Sequence, residues 1–188
     1  IDGALLYLNA DRKELAIVID DKLIIQIQQG NEAAAEELIK RWYPAILRYC
    51  RWHCVNSTRA EDLTQEVFYK LFRSISQYDD KRKFKAYIYA IARNQCIDES
   101  RRQPVYPLDE EGGLIDPAEP ILQIENRLEV ATLLCKLPSE QKEAVILKFG
   151  EQLSYREIAA VTGCNMRTAQ SRVRNALNTM RKESRHEE

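Results

Sequence analysis

Apolar residues recur at three- and four-residue steps along most of the chain, the spacing that places them on one face of an α-helix. The clearest run is Leu63, Val67, Leu71 and Ile75, which lie four residues apart. The two-residue alternation typical of strands is almost absent, and only the short β-branched run LAIVI at residues 15–19 is compatible with either structure. The pattern therefore predicts an all-α protein.

One segment interrupts this periodicity and divides the chain. Residues 103–127 contain four of the six prolines, two adjacent glycines and several acids, a composition typical of a flexible linker. We therefore predict two small helical domains joined by a flexible acidic linker. The first spans residues 21–102 and the second residues 128–184, while residues 1–20 form an N-terminal extension of unknown role.

The second domain contains the most specific local pattern, LSYREIAAVTGCNMRTAQSRVRNAL. Ser154 and Glu157 have the spacing of a capping box, which starts a helix. Gly163 can adopt the backbone angles of a tight turn, and Asn165 can cap the helix that follows. The segment is predicted to fold as a helix-turn-helix.

The second helix of this motif has two chemically different faces. Its inward face is predicted to consist of Met166, Ala169, Val173, Leu177 and Met180. Its polar face offers hydrogen bonds to base edges and positive charge to phosphates, as a recognition helix in the major groove requires. That face consists of Arg167, Thr168, Gln170, Ser171, Arg172, Arg174 and Asn175. The alternative is a helical hairpin with a solvated basic face.

Charge adds a second argument for nucleic acid. The 188 residues carry a formal net charge of only −1, but basic residues are concentrated in residues 81–102 and 156–185, with acids between them. Two basic regions across an acidic bridge predict two contacts with one polyanion. No apolar run is long enough for a membrane span and the N-terminus lacks a signal-peptide pattern, so we expect a cytoplasmic protein.

The five cysteines are scattered and odd in number, which argues against a disulfide framework. Cys50, His53 and Cys54 share one helical turn and could contribute metal ligands, but no second ligand pair of zinc spacing follows. We predict semi-buried helix residues there and no metal. No phosphate-binding glycine loop or catalytic histidine setting occurs, so no catalytic residue and no cofactor are predicted.

The segment FKAYIYAIARNQCIDESRR mixes aromatic and basic residues and could serve as core or as contact surface for unstacked bases. On a helical wheel, Phe84, Ile88 and Ile91 form an inward stripe with Tyr87 at its edge. Tyr89 and Arg93 are predicted to point to the other side. The segment therefore divides into a packed stripe and a candidate nucleic-acid contact.

Four segments in this order resemble the bacterial RNA polymerase sigma factors of the extracytoplasmic function group. The segments are DDKLIIQIQQGNEAAAEELIKRWYPAIL, AEDLTQEVFYKLFRSI, FKAYIYAIARNQCIDESRR and LPSEQKEAVILKFGEQLSYREIAAVTGCNMRTAQSRVRNAL, and together they cover about residues 21–182. The resemblance implies a sigma factor that binds core RNA polymerase, directs it to specific promoters and assists promoter opening without catalysis. It also implies an anti-sigma factor as a partner, and promoter DNA bound both as duplex and as melted single strand.

The resemblance also implies roles for individual residues. Polymerase binding would involve Asp62, Leu63, Gln65, Glu66 and Tyr69. Contacts to the minus-ten element would come from Tyr78, Lys81, Arg82, Tyr89, Arg93, Asn94, Arg101 and Arg102. The seven polar residues of the recognition helix would read the minus-thirty-five element. Residues 167–172 depart from the family's common pattern, so the promoter sequence cannot be read from them.

Two alternatives belong to other functional classes. The first is a helix-turn-helix transcriptional regulator whose N-terminal domain senses a ligand or dimerises. The second is a nucleic-acid enzyme that uses acids and a metal, although no acidic cluster invites this interpretation. The helix around Asp62 distinguishes a sigma factor from these alternatives. Periodicity alone favours a solvated face there, whereas the resemblance implies a polymerase-binding surface.

Overall fold

The computed structural model describes residues 2–54, 57–79, 83–102 and 129–184, with side chains from residue 15 onward, and these residues form helices and turns without a strand. We call residues 2–102 the N-terminal module and residues 129–184 the C-terminal module. The first contains α1 (Asp2–Gln28), α2 (Glu32–Arg51), α3 (Ser57–Ser74), a 3-10 turn (Ile75–Gln77) and α4 (Phe84–Arg102). In the second, residues 129–135 are helical, followed by α5 (Ser139–Val145) with a π-type last turn (Ile146–Gly150), α6 (Tyr155–Thr162) and α7 (Met166–Ser184). The all-α prediction is confirmed for the described residues, and the predicted linker lies outside them.

The N-terminal helices begin and end where the sequence provides signals. Residues 15–19 are helical, and α1 continues without a break from the predicted extension into the first domain. Gly30 has a φ of 88° in the turn after α1, and the side chain of Asn31 caps α2 by accepting from the Ala34 amide at 3.2 Å. The helix α2 continues through Pro44, which lies inside it.

The core of the N-terminal module forms where α2, α3 and α4 meet. The stripe predicted on α3 is confirmed, since Leu63, Val67 and Leu71 are no more than 1% exposed. Ile46 of α2 and Ile88 of α4 are fully buried beside them. Each such side chain contributes about 1.5–3 kcal/mol when it leaves water, so this core fixes the outward faces of α3 and α4.

The helix-turn-helix forms through the predicted signals. The Ser154 hydroxyl and the Glu157 carboxylate complete a capping box, Gly163 adopts φ 67° and ψ 28°, and the Asn165 side chain accepts from the Thr168 amide at 2.8 Å. Each of these signals acts between residues no more than three positions apart, so it depends little on tertiary contacts.

The inward face of α7 differs from the prediction in two places. Ala169 and Val173 are buried as expected, but Met166 is 44% exposed and Leu177 is 37% exposed. The buried stripe passes through Ala176 instead. Small alanines allow the neighbouring helices to approach closely, which leaves the larger Leu177 at the edge of the contact.

Candidate polymerase-binding and DNA-binding surfaces

The outer face of α3 presents an acidic and aromatic patch. Asp62, Gln65 and Glu66 are exposed, and the side chain of Tyr69 is 63% exposed. The expectation that Leu63 belongs to this patch is wrong, since Leu63 is 1% exposed and packs in the core. We call the four exposed residues the α3 patch; an exposed tyrosine ringed by acids can bind an apolar and basic protein surface.

An ion pair holds α3 against α4 beneath this patch. The Arg59 guanidinium donates to both oxygens of the buried Glu99 carboxylate at 2.6 and 2.5 Å. This hydrogen bonding raises the pKa of Arg59. Arg59 also lies 3.7 Å from the Asp62 carboxylate. Through its bonds to Asp62 and Glu99, Arg59 connects the α3 patch to α4.

One candidate DNA groove lies at the beginning of α4. It is lined by Tyr78 and Tyr87, whose ring centroids are 4.7 Å apart, and by Ala160 of the C-terminal module. The Tyr87 hydroxyl lies 2.6 Å from the Ser74 hydroxyl. The sequence predicted Tyr78 as a base contact but placed Tyr87 at the edge of the core. We call this the tyrosine groove.

A second groove follows the outer face of α4. Arg93, Asn94 and Arg101 line it together with Lys70 of α3, and we call it the basic groove. Arg102 is exposed at the end of the helix, whereas the predicted contacts Lys81 and Arg82 lie outside the described residues. Cations along a groove suit a nucleic-acid backbone. Sequence reasoning missed Lys70 because this residue belongs to α3 and precedes the start of α4 by fourteen positions.

The predicted outward position of Tyr89 is wrong. Its ring is 1% exposed and packs edge-on against Trp42 and Tyr49, with centroids 6.2 and 5.5 Å away. A tyrosine held in this way has no free ring face on which a base could stack. The helical wheel misplaced it because α4 is covered on more than one side, by α2 and by the C-terminal module.

The polar face of α7 is mostly open. Arg167, Gln170, Arg174 and Asn175 are exposed, while Thr168 and Ser171 are half-buried. Arg172 is held within the module, because its guanidinium pairs with the Glu140 carboxylate at 2.6 Å. Because Arg172 is paired, only the exposed residues of this face are available to contact DNA without breaking an internal bond.

Comparison with known proteins decides the family. Residues 38–104 match Sigma-70 region 2 and residues 127–180 match Sigma-70 region 4. SigC of Mycobacterium tuberculosis, an ECF RNA polymerase sigma factor, is 30% identical over 162 residues that cover 84% of this chain and 87% of SigC. The chain belongs to the ECF group of the sigma-70 family. It is therefore a transcription initiation factor, and family membership favours this function over a conventional helix-turn-helix regulator.

Further relatives agree. The sigma factor is 27% identical to SigW of Bacillus subtilis, over 87% of this chain and 96% of SigW. Its fold is similar to that of CnrH, solved in complex with the cytosolic domain of CnrY, with a TM-score of 0.74 and 22% identity over 90% of this chain and 99% of that one. The two sigma regions correspond to the two modules described above.

In this sigma factor the C-terminal module packs on the N-terminal module through Glu151. This carboxylate is 3% exposed and receives two bonds from the Arg48 guanidinium, at 3.1 and 2.6 Å. The Tyr89 hydroxyl donates to it at 2.5 Å, and the Lys85 ammonium donates to the Glu151 carbonyl at 2.9 Å. All three donors belong to the N-terminal module.

A second buried carboxylate, Glu143 of α5, makes a parallel contact. The Tyr49 hydroxyl donates to it at 2.6 Å, and it lies 3.3 Å from His53 Nε2 and 3.9 Å from Arg93 Nε. Neither of these two nitrogens completes a hydrogen bond within the described chain. Glu143 therefore reaches the same Arg93 that lines the basic groove.

The electrostatics of this contact follow from burial. Burial, reinforced by the nearby carboxylates, raises the pKa of Tyr49 and of Tyr89 above the usual value, so both hydroxyls remain donors. Hydrogen bonding to Glu151 raises the pKa of Arg48. Burial lowers the pKa of His53, which keeps this imidazole neutral near pH 7.

The candidate metal residues lie near this contact but do not form a ligand set. Cys50 is buried, and His53 and Cys54 are half-buried. Among the described residues no group of three or more histidine, cysteine or acidic side chains is placed to hold a metal ion. A search of the same residues for a helix long and apolar enough to cross a membrane finds none.

Proposed function

We propose that the α3 patch is the surface with which this sigma factor binds core RNA polymerase, and that the tyrosine and basic grooves receive the minus-ten element. The exposed polar residues of α7 read the minus-thirty-five element as duplex. The protein carries out no chemistry of its own and acts in the cytoplasm, where polymerase meets the chromosome.

The observation that carries this proposal is the joint presence of two unlike surfaces in one chain of the sigma-70 family. The α3 patch is acidic and suited to a protein partner, since acids repel nucleic acid. The basic groove along α4 carries Lys70, Arg93 and Arg101, and the exposed face of α7 carries Arg167 and Arg174. A protein that bridges polymerase and promoter requires both kinds of surface.

In the proposed opening step, Tyr78 and Tyr87 offer aromatic faces to unstacked bases of the minus-ten element. Stacking on an aromatic side chain contributes about 1–3 kcal/mol per base, which offsets the few kcal/mol required to extract a base from the duplex. We expect Arg93, Arg101 and Arg102 to neutralise the phosphates of the same strand. Tyr89 takes no part, because its ring is in the core.

We also propose that an anti-sigma factor regulates the protein. A solved neighbour of 22% identity is the sigma factor RpoE bound to the anti-sigma factor NepR from Bartonella quintana, with a TM-score of 0.57. An inhibitor that covered the α3 patch would block polymerase binding directly. Co-purification of this chain from its own organism tests this proposal and would identify the anti-sigma partner.

Reconstituted run-off transcription with core polymerase and genomic fragments tests the proposal. The wild-type protein should start promoter-specific transcripts, and Glu66→Ala combined with Tyr69→Ala should reduce polymerase binding in a pull-down at least tenfold, about 1.4 kcal/mol. Glu37→Ala removes an exposed carboxylate from α2 and is the matched control. Normal transcription from the double variant would contradict the assignment of the α3 patch.

The DNA surfaces are tested with the same assay. Arg167→Ala combined with Arg174→Ala should weaken duplex promoter binding and change promoter selection, since each specific base contact contributes about 1–3 kcal/mol. Tyr78→Ala should leave duplex binding intact and reduce permanganate reactivity of the melted minus-ten thymines. Equal loss of duplex binding in both variants would show that the two steps are not separated as proposed.

A further inference from the structure

We infer that a cavity lined in part by the N-terminal extension binds a small organic cation, a primary amine that carries an apolar body. The cavity lies where α1, α2, the start of α4 and the start of α6 meet, and we call it the amine cavity. None of the described residues that line it belongs to the α3 patch, the tyrosine groove, the basic groove or the polar face of α7. The inference therefore goes beyond the proposed function and stands without it.

The amine cavity has the size of a small molecule and a largely apolar wall. Its volume is about 220 Å³, which is roughly that of seven water molecules in the liquid. Ala16 and Ile17 of α1 line it together with Trp42 of α2 and Phe84 of α4. The two aromatic rings meet edge to face, with centroids 5.6 Å apart. This space suits a compact body no larger than one ring with a short side chain.

Carboxylates outnumber cations around this apolar space. The lining carboxylates are those of Asp20, Asp21 and Glu157. Among the described lining residues, Lys85 supplies the opposing charge. The buried Asp20 carboxylate accepts from Arg41 Nε at 3.1 Å, so Arg41 offsets its charge. Two carboxylates against one ammonium still leave the walls net negative, which attracts a cation and repels an anion.

The backbone at one wall is held in an unusual conformation. Gln152 lines the cavity with a φ of 54°, the one positive φ at a non-glycine residue of the described chain. The Lys85 ammonium donates to the Gln152 carbonyl at 3.4 Å and to the Glu151 carbonyl at 2.9 Å. Residues in this sparsely populated conformation concentrate at ligand sites, and they persist only where the surrounding structure restrains them. The Lys85 bonds supply such a restraint, so this wall is fixed before a ligand arrives.

These features together select an amine with an apolar body. The body contacts Trp42 and Phe84, and the electron-rich faces of aromatic rings also attract a cation. The ammonium group has three N–H donors for carboxylate oxygens such as those of Asp21 and Glu157. A neutral compound of the same shape keeps the apolar contacts and loses the attraction to the acids. Charge should therefore discriminate between two ligands of equal size.

Fluorescence titration of the full chain tests the site, because Trp42 forms part of its wall. The probe is 2-phenylethylamine, and 2-phenylethanol is the neutral control of equal size. The amine should change the tryptophan emission saturably with a Kd of about 0.1–1 mM, the range expected of a compound with so few atoms. The alcohol should bind at least about tenfold more weakly, since hydrogen bonds to charged groups are the stronger ones. Equal affinity for the two compounds, or no saturable change with either, would overturn the inference.

Two variants locate the binding within the fold. Asp21→Asn removes one wall charge and should raise the Kd for the amine at least about fivefold. Ala16→Leu fills part of the cavity and should abolish saturable binding while circular dichroism keeps the helix content. Glu37→Gln removes an exposed carboxylate from α2 and is the matched control for net charge, so its Kd should equal that of the wild type. Unchanged affinity in both Asp21→Asn and Ala16→Leu would place the amine elsewhere and contradict the site.

Thermal unfolding gives a readout that does not depend on tryptophan emission. A ligand that binds only the folded state raises the Tm in proportion to its saturation. The amine at about ten times its Kd should therefore raise the Tm of the wild-type protein and of Glu37→Gln, but not that of Ala16→Leu. A rise of equal size in Ala16→Leu would show a non-specific effect of the amine and would overturn the inference.

Discussion

At the scale of single residues, tyrosine hydroxyls carry much of the contact between the modules. Tyr49 and Tyr89 pack their rings into the aromatic core and direct their hydroxyls to Glu143 and Glu151. Tyr87 also makes a hydroxyl contact, but with Ser74 at a half-buried position. A tyrosine hydroxyl should therefore contribute more to the free energy of unfolding when its partner is a buried charge than when its partner is another hydroxyl.

Removal of each hydroxyl should show a larger loss of stability for the bond to a charged partner than for the bond to a neutral one. Tyr89→Phe leaves the buried Glu151 with one donor fewer and should lower the free energy of unfolding by about 1.5–3 kcal/mol, the value of a hydrogen bond to a charged group. Tyr87→Phe, the matched control, should cost about 1 kcal/mol or less. Urea denaturation followed by circular dichroism measures both. Equal losses would contradict the charged character of the Tyr89 bond.

The cysteines should differ sharply in reactivity. Burial, together with nearby Cys50 and Glu99, raises the pKa of the Cys54 thiol to about 12. At pH 8 only about one Cys54 in ten thousand is then a thiolate, the reactive form. Iodoacetamide at pH 8 should alkylate the exposed Cys135 first and spare Cys54, as measured by peptide mass spectrometry. Labelling of Cys54 at the rate of Cys135 would contradict this burial.

At the scale of elements, the helix-turn-helix depends on one backbone conformation. Gly163 occupies the left-handed region between α6 and α7, and no atom lies within 4 Å of the place where a Cβ would be. The cost of a side chain there is therefore purely conformational. Gly150, at the end of α5, has no positive φ and only ordinary contacts at 3.9 Å.

This contrast defines a matched pair of variants. Gly163→Ala should destabilise the protein by about 1–2 kcal/mol, the penalty for a left-handed L-residue, whereas Gly150→Ala should be neutral or slightly stabilising. Gly163→Asn should recover part of the loss, because asparagine tolerates this conformation. Thermal unfolding monitored by circular dichroism measures the three. Destabilisation by Gly150→Ala of the same size would indicate steric rather than conformational cost.

What the sequence predicts about these elements depends on how local the cause is. The capping box at Ser154, the turn at Gly163 and the cap at Asn165 are decided within a few residues, and all three are confirmed. Tyr89 was misplaced because its burial depends on partners that are distant in sequence, Trp42 and Glu151. A helical wheel separates two faces, but it does not show which of several neighbours covers each.

Surface assignments from the family pattern show the same limit. The pattern at the α3 patch correctly identifies an exposed acidic face but includes Leu63, which the apolar periodicity had already placed inward. Arg172 lies on the correct face of α7, yet its pairing with Glu140 is invisible without the packing of α5. The roles of these surfaces in binding stay predictions.

At the scale of the whole molecule, the two sigma regions share buried groups although the sequence predicts separate domains. Trp52 follows α2 and lies beside Gly150 of the C-terminal module, and α4 packs against α6. Each module therefore completes part of the other's hydrogen bonding. Two domains in this relation should not unfold independently.

Calorimetry tests this dependence. The wild-type chain should unfold in a single endotherm, because separation of the modules exposes Glu143 and Glu151 at the cost of their bonds to Arg48, Tyr49 and Tyr89. Combined Glu143→Gln and Glu151→Gln substitutions should divide the endotherm into two.

Glu140→Gln should lower stability only slightly and keep one endotherm, since its pair with Arg172 is internal to the C-terminal module and Glu140 is exposed. Two resolved transitions in the wild-type protein would show that the modules unfold separately and that the buried carboxylates do not link them. A single transition that survives loss of both carboxylates would assign the linkage to the apolar contact of α4 with α6 instead.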